Sequence, residues 1–367
     1  MKIGILTLPF DNNYGGYLQC LALTEKLKNL GHDPSIINRR QELPAPYSFK
    51  FFKSYINYNF LGKKNRCYNL RTYNESKMRR GKAMIASIKD LLCPMSAPLF
   101  SHKDFAKLKP EEYEAIIVGS DQVWRPIYVP DVREMFLNFA QSWNIKRIAF
   151  AASYGTDNPE YDAALYKECS RLLSKFDAIS VREQSALKLA KEMANSATIE
   201  PSHILDPVFL LETEDYLKLF NVSKNPKKRL FCYLLDPNEK KLVEATKMAN
   251  KYCLQLEILD AGHAPVLPSI SYWIDCIFNS ELVLTDSFHG TAFSLIFNTP
   301  FYTYVNKKRG NARIEDLLEF FNLKGFMVNE EIFENYELPH VEWSSVNGKI
   351  NEECNRSTEF IINSLAR

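Results

Sequence analysis

At 367 residues the chain is too long for one ordinary domain, and with 46% hydrophobic and 25% charged residues it has the make-up of a globular protein, not of a disordered or fibrous one. A formal net charge of +2 gives no compositional reason to expect a nucleic-acid partner. No apolar run approaches the ~20 residues of a membrane span, and the eight cysteines lie scattered without a C-x-x-C pair, so they read as reduced core thiols of a cytoplasmic protein and not as a metal centre.

KIGILTL (residues 2–8) is a continuous apolar run suited to a central parallel strand; no small-residue cleavage site follows it, which argues against a signal peptide. The polar loop PFDNNYGG comes next. Leu18, Leu21, Leu23, Leu27 and Leu30 then approximate one face of a helix, with Gly31 just past its end, and PSIIN is the following strand. This β-loop-α-β unit is the repeating element of doubly wound sheets. Residues 48–82 break the rhythm. They begin SFKFFKSYINYNF and continue into a basic stretch, which reads as a helical insertion with a solvated face, as a patch touching anionic membrane or a lipid-linked substrate, or as a nucleic-acid contact.

The alternation resumes with strand EAIIVGSD, strand KRIAFAAS, a helix from about Asp162 to Lys175, strand DAISV and helix REQSALKLAKEM. A second series starts after ILDPVFLL: strand RLFCYLLD, helix 238–252, strand LEILD, helix 270–280, strand LVLTD, helix 290–298, strand FYTYV and helix 312–321. The boundary is placed at Asp206-Pro207. That gives an N-terminal domain over 1–206 and a C-terminal domain over 207–350, with a last helix, within 351–367, crossing back onto the first domain.

Ligands of open α/β sheets bind where loops leave the carboxyl ends of strands. In the first such loop, Asn13, Tyr14, Gly15 and Gly16 either form a capped tight turn or let a ligand approach the backbone. In the second, Asp121, Gln122 and Trp124 suit a sugar, polar groups for hydroxyls and an indole for its apolar face; the alternative is an N-cap aspartate. Arg182 follows strand DAISV, either as a surface ion pair or as a fork for carboxylate or phosphate. The fourth loop is TDSFHGT. There Gly290 and Thr291 would offer N–H groups at a helix start, Ser287 and Thr291 would add hydroxyls, and His289 would stand beside the bound anion. Lys307, Lys308, Arg309 and Arg313 would form a cationic rim. No phosphate-binding P-loop, dinucleotide glycine fingerprint or nucleophile elbow appears.

Seven stretches in order, NNYGGYLQCLALTEKLKNLGH, YEAIIVGSDQVW, RIAFAASYG, AISVREQSALKL, ILDPVFLL, LVLTDSFHGTAFSLIFNTPFY and NARIEDLLEFFNL, resemble the polysaccharide pyruvyl transferase family, GSDQVW and TDSFHGT most specifically. The resemblance implies two Rossmann-like domains in a glycosyltransferase-B-like arrangement with an interdomain cleft. It implies transfer of a pyruvyl group from phosphoenolpyruvate, a co-substrate and not a cofactor, to two hydroxyls of a sugar. The product would be a cyclic ketal on a polysaccharide or lipid-linked glycan precursor, made in the cytoplasm at the inner face of the membrane. The resemblance maps the donor-site histidine onto His289, the donor-site arginine onto Arg182 and a further one onto Arg313. Where some members carry an arginine-leucine pair before the histidine, this chain has Ser287 and Phe288, which would shift anion binding toward Lys307, Lys308 or Arg313. Asp121 is the candidate to orient or deprotonate an acceptor hydroxyl, and no metal is called for. The competing readings are a nucleotide-sugar glycosyltransferase on the same scaffold and a non-catalytic glycan-binding relative.

Overall fold

The computed structural model describes residues 1–10, 12–40, 79–156, 160–194, 199–305, 312–329 and 337–366. The first domain is a six-stranded parallel sheet in the order β2-β1-β3-β4-β5-β6. Its strands are β1 (Lys2–Leu6), β2 (Asp33–Ile36), β3 (Ala115–Asp121), β4 (Lys146–Ala152), β5 (Ala178–Val181) and β6 (Ser202–His203). The second is a five-stranded parallel sheet in the order β11-β10-β9-β7-β8. It comprises β7 (Lys227–Leu234), β8 (Gln255–Asp260), β9 (Ser280–Thr285), β10 (Phe301–Tyr304) and β11 (Met327–Val328). Every residue of β3 is buried, as a strand covered on both faces requires.

The helices are α1 (Tyr14–Asn29), α2 (residues 79–86), α3 (Ala163–Leu173), α4 (Gln184–Ala194), α5 (Thr213–Phe220), α6 (Glu239–Lys251), α7 (Ile270–Phe278), α8 (Phe288–Ile296), α9 (Ala312–Phe320) and α10 (Trp343–Ala366). None of the described helices is long and apolar enough to cross a membrane. The basic and aromatic part of the 48–82 insertion lies outside the described residues up to 78, and with it the membrane-contact reading. Its end is described: Arg80 donates from Nε to Ala264 O at 2.8 Å and also bonds Ala261 O, tying α2 to the loop after β8.

The sequence reading has no counterpart for β6, α5 or β11, and two of the helices it does expect begin earlier than it places them. α1 begins at Tyr14, before the leucine stripe, because Asn13 caps it by accepting from Gly15 N at 3.2 Å. Tyr14, Gly15 and Gly16 are therefore helix and not loop. α10 begins at Trp343, well ahead of the NRSTEFIINSLAR segment; its Ile361 and Leu365 pack with Ile3, Ile5, Ile148 and Phe150 of the first domain.

Each sheet has a buried cluster of its own, around Val118, Trp124 and Ile179 in the first and around Leu230, Leu282 and Tyr304 in the second, and a further cluster joins the two. Tyr14, Tyr17, Leu18 and Leu21 of α1, with Met84 and Ile88, share one apolar cluster with Tyr233, Trp273, Phe288 and Phe293 of the second domain. The Tyr14 ring stacks on Trp273 with centroids 5.3 Å apart, and its hydroxyl donates to Pro268 O at 2.9 Å. In each sheet the strand order reverses once, between β1 and β3 and between β7 and β9. A doubly wound sheet opens its ligand crevice at such a reversal. β3 ends in Asp121, and β9 leads directly into His289.

Candidate functional site

β3 does not run straight out of its sheet. Gly119 has φ +124°, and a Cβ there would come within 2.2 Å of Phe150 O, so only glycine fits. Asp121 follows with φ +75°, a left-handed conformation that costs an aspartate on the order of 1 kcal/mol or more. Such strain persists where the surroundings fix it, and here they do. The Asp121 Oδ1 accepts from Gln122 N at 2.9 Å and lies 3.4 Å from Arg182 Nη2.

Arg182, at the end of β5, is the hub. Its Nη1 is 2.5 Å from Asp206 Oδ2, its Nε is 3.4 Å from Glu183 Oε1, and its guanidinium carbon lies 4.7 Å from the centroid of the Phe288 ring. Asp206 stands at the junction of the two domains. Its Oδ1 caps the turn Pro207–Leu210 by accepting from Val208 N at 3.1 Å, and its Oδ2 also receives Ser120 Oγ at 3.3 Å. Glu183 accepts from Ser153 Oγ at 2.7 Å. On the outer side Arg313, half-buried on α9, lies 5.9 Å from the same Phe288 ring. With its amide oriented to satisfy both groups, Gln122 accepts from the two terminal nitrogens of Arg313 at 3.2 Å.

His289 enters from the second domain. Its ring fits against Gly15 so closely that a Cβ there would lie 1.9 Å from Nδ1. Its Nε2 is buried, has no hydrogen-bond partner among the described residues, and lies 3.9 Å from Asp206 Oδ2. Thus His289 and Arg182, from different domains, converge on one carboxylate.

The charges set one another. Burial pulls the His289 pKa below 6.5, Arg182 and Arg313 pull the same way, and Asp206 and Asp121 resist without reversing the result. The imidazole is therefore neutral at pH 7. Burial would raise Asp121, but Arg182, His289 and Arg313 together hold it below the usual carboxylate range. Burial pushes Glu183 up despite Arg182. Burial would lower Arg182, yet Asp206, Glu183 and Asp121 hold it above its ordinary value. The centre thus offers a neutral base, an ionised carboxylate and, in Arg313, a cation at the rim.

Several expected ligand contacts are corrected by the packing. The Trp124 indole does not face a sugar: it is fully buried, donates from Nε1 to Met135 O at 3.1 Å and stacks on Phe136. Tyr14 is spent in the interdomain core, and Gly15 makes room for His289 rather than for a ligand. Asn13 is exposed and serves as the cap of α1, while Gly16 lies in that helix's first turn.

The proposed anion groups of TDSFHGT are largely committed within the protein. Ser287 Oγ accepts from Gly290 N at 3.3 Å, and Thr291 Oγ1 bonds Ser287 O at 3.0 Å and Thr303 Oγ1 at 2.8 Å. Gly290 is needed because a Cβ would lie 2.4 Å from Thr285 Oγ1. Lys307, Lys308 and Arg309 lie outside the described residues. Asp286 braces the turn by accepting from Leu235 N at 2.6 Å and Asp236 N at 3.0 Å and pairing with Lys241 Nζ at 2.9 Å. A separate cleft of about 560 Å³, lined in part by Asn238, Thr246, Lys247, Asp260 and His263, touches none of the predicted site residues.

Asp206 was missed as a site residue, although its stretch, ILDPVFLL, was singled out. The signal available was a lone carboxylate inside an apolar run, which in a folded chain must find a cation or N–H donors.

Comparison with known proteins agrees with this architecture. The sequence profile of the polysaccharide pyruvyl transferase family matches residues 13–308. No curated protein matches significantly. Among solved structures, UDP-GlcNAc 2-epimerase from Neisseria meningitidis bound to UDP-GlcNAc is 10% identical over 100% of both chains, with a TM-score of 0.50. The S. aureus MnaA-UDP co-structure is 11% identical over 98% of this chain and 91% of that one, also with a TM-score of 0.50. At such identity the likeness is one of fold: two parallel-sheet α/β domains of glycosyltransferase-B type.

Proposed function

Because the chain belongs to the polysaccharide pyruvyl transferase family, we propose that it moves a pyruvyl group from phosphoenolpyruvate to two hydroxyls of one sugar, releasing phosphate and leaving a cyclic ketal. The acceptor is a polysaccharide or lipid-linked glycan precursor, met at the cytoplasmic face of the membrane. The observation that carries this reading is the meeting of two domains at one buried cluster: Arg182 and His289 converge on Asp206, Asp121 pairs with Arg182, and Arg182 and Arg313 both lie over the Phe288 ring.

The chemistry requires a base for two hydroxyl protons, an acid for the methylene carbon of the donor and for the departing phosphate, and cations for the donor's charges. The methylene carbon takes up a proton and becomes a methyl group, which makes C2 electron-poor; the oxygen of the first hydroxyl bonds C2, and neutral His289 takes that hydroxyl's proton, replacing the one the carbon took up. The second hydroxyl then displaces phosphate, and its proton leaves with the phosphate. Two C–O bonds, one C–H bond and one O–H bond on phosphate form, while one C–O bond, two O–H bonds and the C=C π bond break, so no redox partner is needed. Asp121, held ionised, orients the acceptor hydroxyls. Arg313 and the basic residues that precede it hold the donor's carboxylate and phosphate. Arg182 keeps the carboxylates in place and reaches the donor only by exchanging one of them.

Incubation of the protein with phosphoenolpyruvate or with a sugar nucleotide, each with a glycan acceptor, tests this reading. Inorganic phosphate from the first mixture supports pyruvylation. Nucleotide release from the second, with none of the first, assigns glycosyl transfer instead.

A further inference from the structure

We infer that Asp206 is the positioning carboxylate of His289, holding the ring's proton on Nε2 and leaving Nδ1 as the nitrogen that exchanges protons with substrate; this rests on the catalytic part proposed for His289. Three observations carry it. Nε2 is the buried nitrogen and has no hydrogen-bond partner among the described residues, although a buried polar atom ordinarily has one. Among the described residues the carboxylate within 4 Å of it is that of Asp206, whose Oδ2 is 3.9 Å away, a gap that a small ring movement closes. That carboxylate cannot retreat, since Arg182 Nη1 at 2.5 Å, Ser120 Oγ at 3.3 Å and Val208 N at 3.1 Å fix it on three sides.

Gly15 completes the arrangement. The Nδ1 side of the ring rests against it, where any side chain would overlap Nδ1. A carboxylate on one ring nitrogen sets the tautomer and steadies the imidazolium that forms when the other nitrogen takes a proton. The remaining groups facing the ring do not supply this. Asp121 is the other anion, but its carboxylate does not come within 4 Å of the ring nitrogens as that of Asp206 does; Arg182, Arg313 and the N-terminal turn of α1 all disfavour a positive imidazole. Asp206 comes from the domain junction and His289 from α8, so the pair exists only when both domains are in place.

The test uses the full chain without substrate. Nitrogen-15 NMR of the six histidines, with His289→Ala to assign the signal, should show neutral His289 with its proton on Nε2. A proton on Nδ1 would overturn the inference whether or not any variant folds. In Asp206→Asn the His289 pKa should fall by about one unit, the effect of removing an opposite charge near 4 Å. An unchanged pKa in a folded variant would also overturn it. In turnover, the acid limb of the pH profile should move down with that pKa, and kcat should fall about tenfold or more while the donor KM changes little. The NMR result stands without turnover. Failure of the wild type to release phosphate from phosphoenolpyruvate would therefore count against the proposed reaction and not against the pairing.

Discussion

Replacing Arg182 by Ala would leave Asp121, Glu183 and Asp206 facing one another in a buried space with their shared cation gone. Removing one partner of a buried ionic group costs roughly 3–5 kcal/mol. Arg182→Ala should thus lower stability by about that much in urea unfolding, where a residue that merely contacts donor would shift the midpoint hardly at all. His289 makes the opposite kind of statement. Its folded-state pKa lies below 6.5, so between that lowered value and 6.5 the unfolded chain binds a proton that the folded chain does not. Stability then falls as pH drops through this window and is fully recovered above it. Urea midpoints at a series of pH values should show that slope in the wild type and lose part of it in His289→Phe. Identical slopes would mean that the histidine is not held neutral.

The short glycine pair at the start of α1 separates packing from propensity. Gly15→Ala places a methyl 1.9 Å from the His289 ring, which must move; overpacking of this kind costs about 1–3 kcal/mol and would pull the ring from Asp206. Gly16→Ala meets nothing closer than Asn13 Nδ2 at 3.5 Å and should stabilise the helix by about 0.5–1 kcal/mol. Equal effects in chemical denaturation would contradict the interlock. The same helix shows what was legible in the sequence. Continuous apolar runs for β1, β3, β7 and β9 and leucines at helical spacing for α1 read correctly, because burial on both faces of a parallel sheet and helix periodicity are local in sequence. The polar strand ends that turn out to meet, Asp121, Arg182 and His289, were also legible, since packing alone does not call for such residues there. What was hidden was direction. Trp124 and Tyr14 carry the groups a sugar site would use, and which way an aromatic ring points depends on tertiary neighbours: Met135, Phe136 and Tyr154 for Trp124, and Pro268 and Trp273, from the other domain, for Tyr14. Asp206 was hidden for the same reason: its partners Ser120 and Arg182 come from other strands.

Across the whole molecule, the joint cluster of α1, Met84 and Ile88 with Trp273, Phe288 and Phe293 makes the domains interdependent. The cross-domain stack of Tyr14 on Trp273 and the bonds from Arg80 to the loop after β8 add to it. Domains joined by a large apolar interface unfold together. Scanning calorimetry should therefore give a single transition whose van't Hoff and calorimetric enthalpies agree; two resolved transitions would show that the shared cluster does not couple the domains. A joined pair also suits the cluster, because His289 comes from one domain and Asp121, Arg182 and Glu183 from the other.

The reaction itself is tested most directly by mass spectrometry of a lipid-linked oligosaccharide acceptor after treatment with the protein and phosphoenolpyruvate, with phosphate measured in the same mixture. The expected result is an acceptor heavier by one pyruvate less one water, one phosphate for each acceptor changed, and neither product from a folded His289→Ala variant. Full turnover by that variant, or an acceptor that gains a hexose from a sugar nucleotide and nothing from phosphoenolpyruvate, would contradict the account.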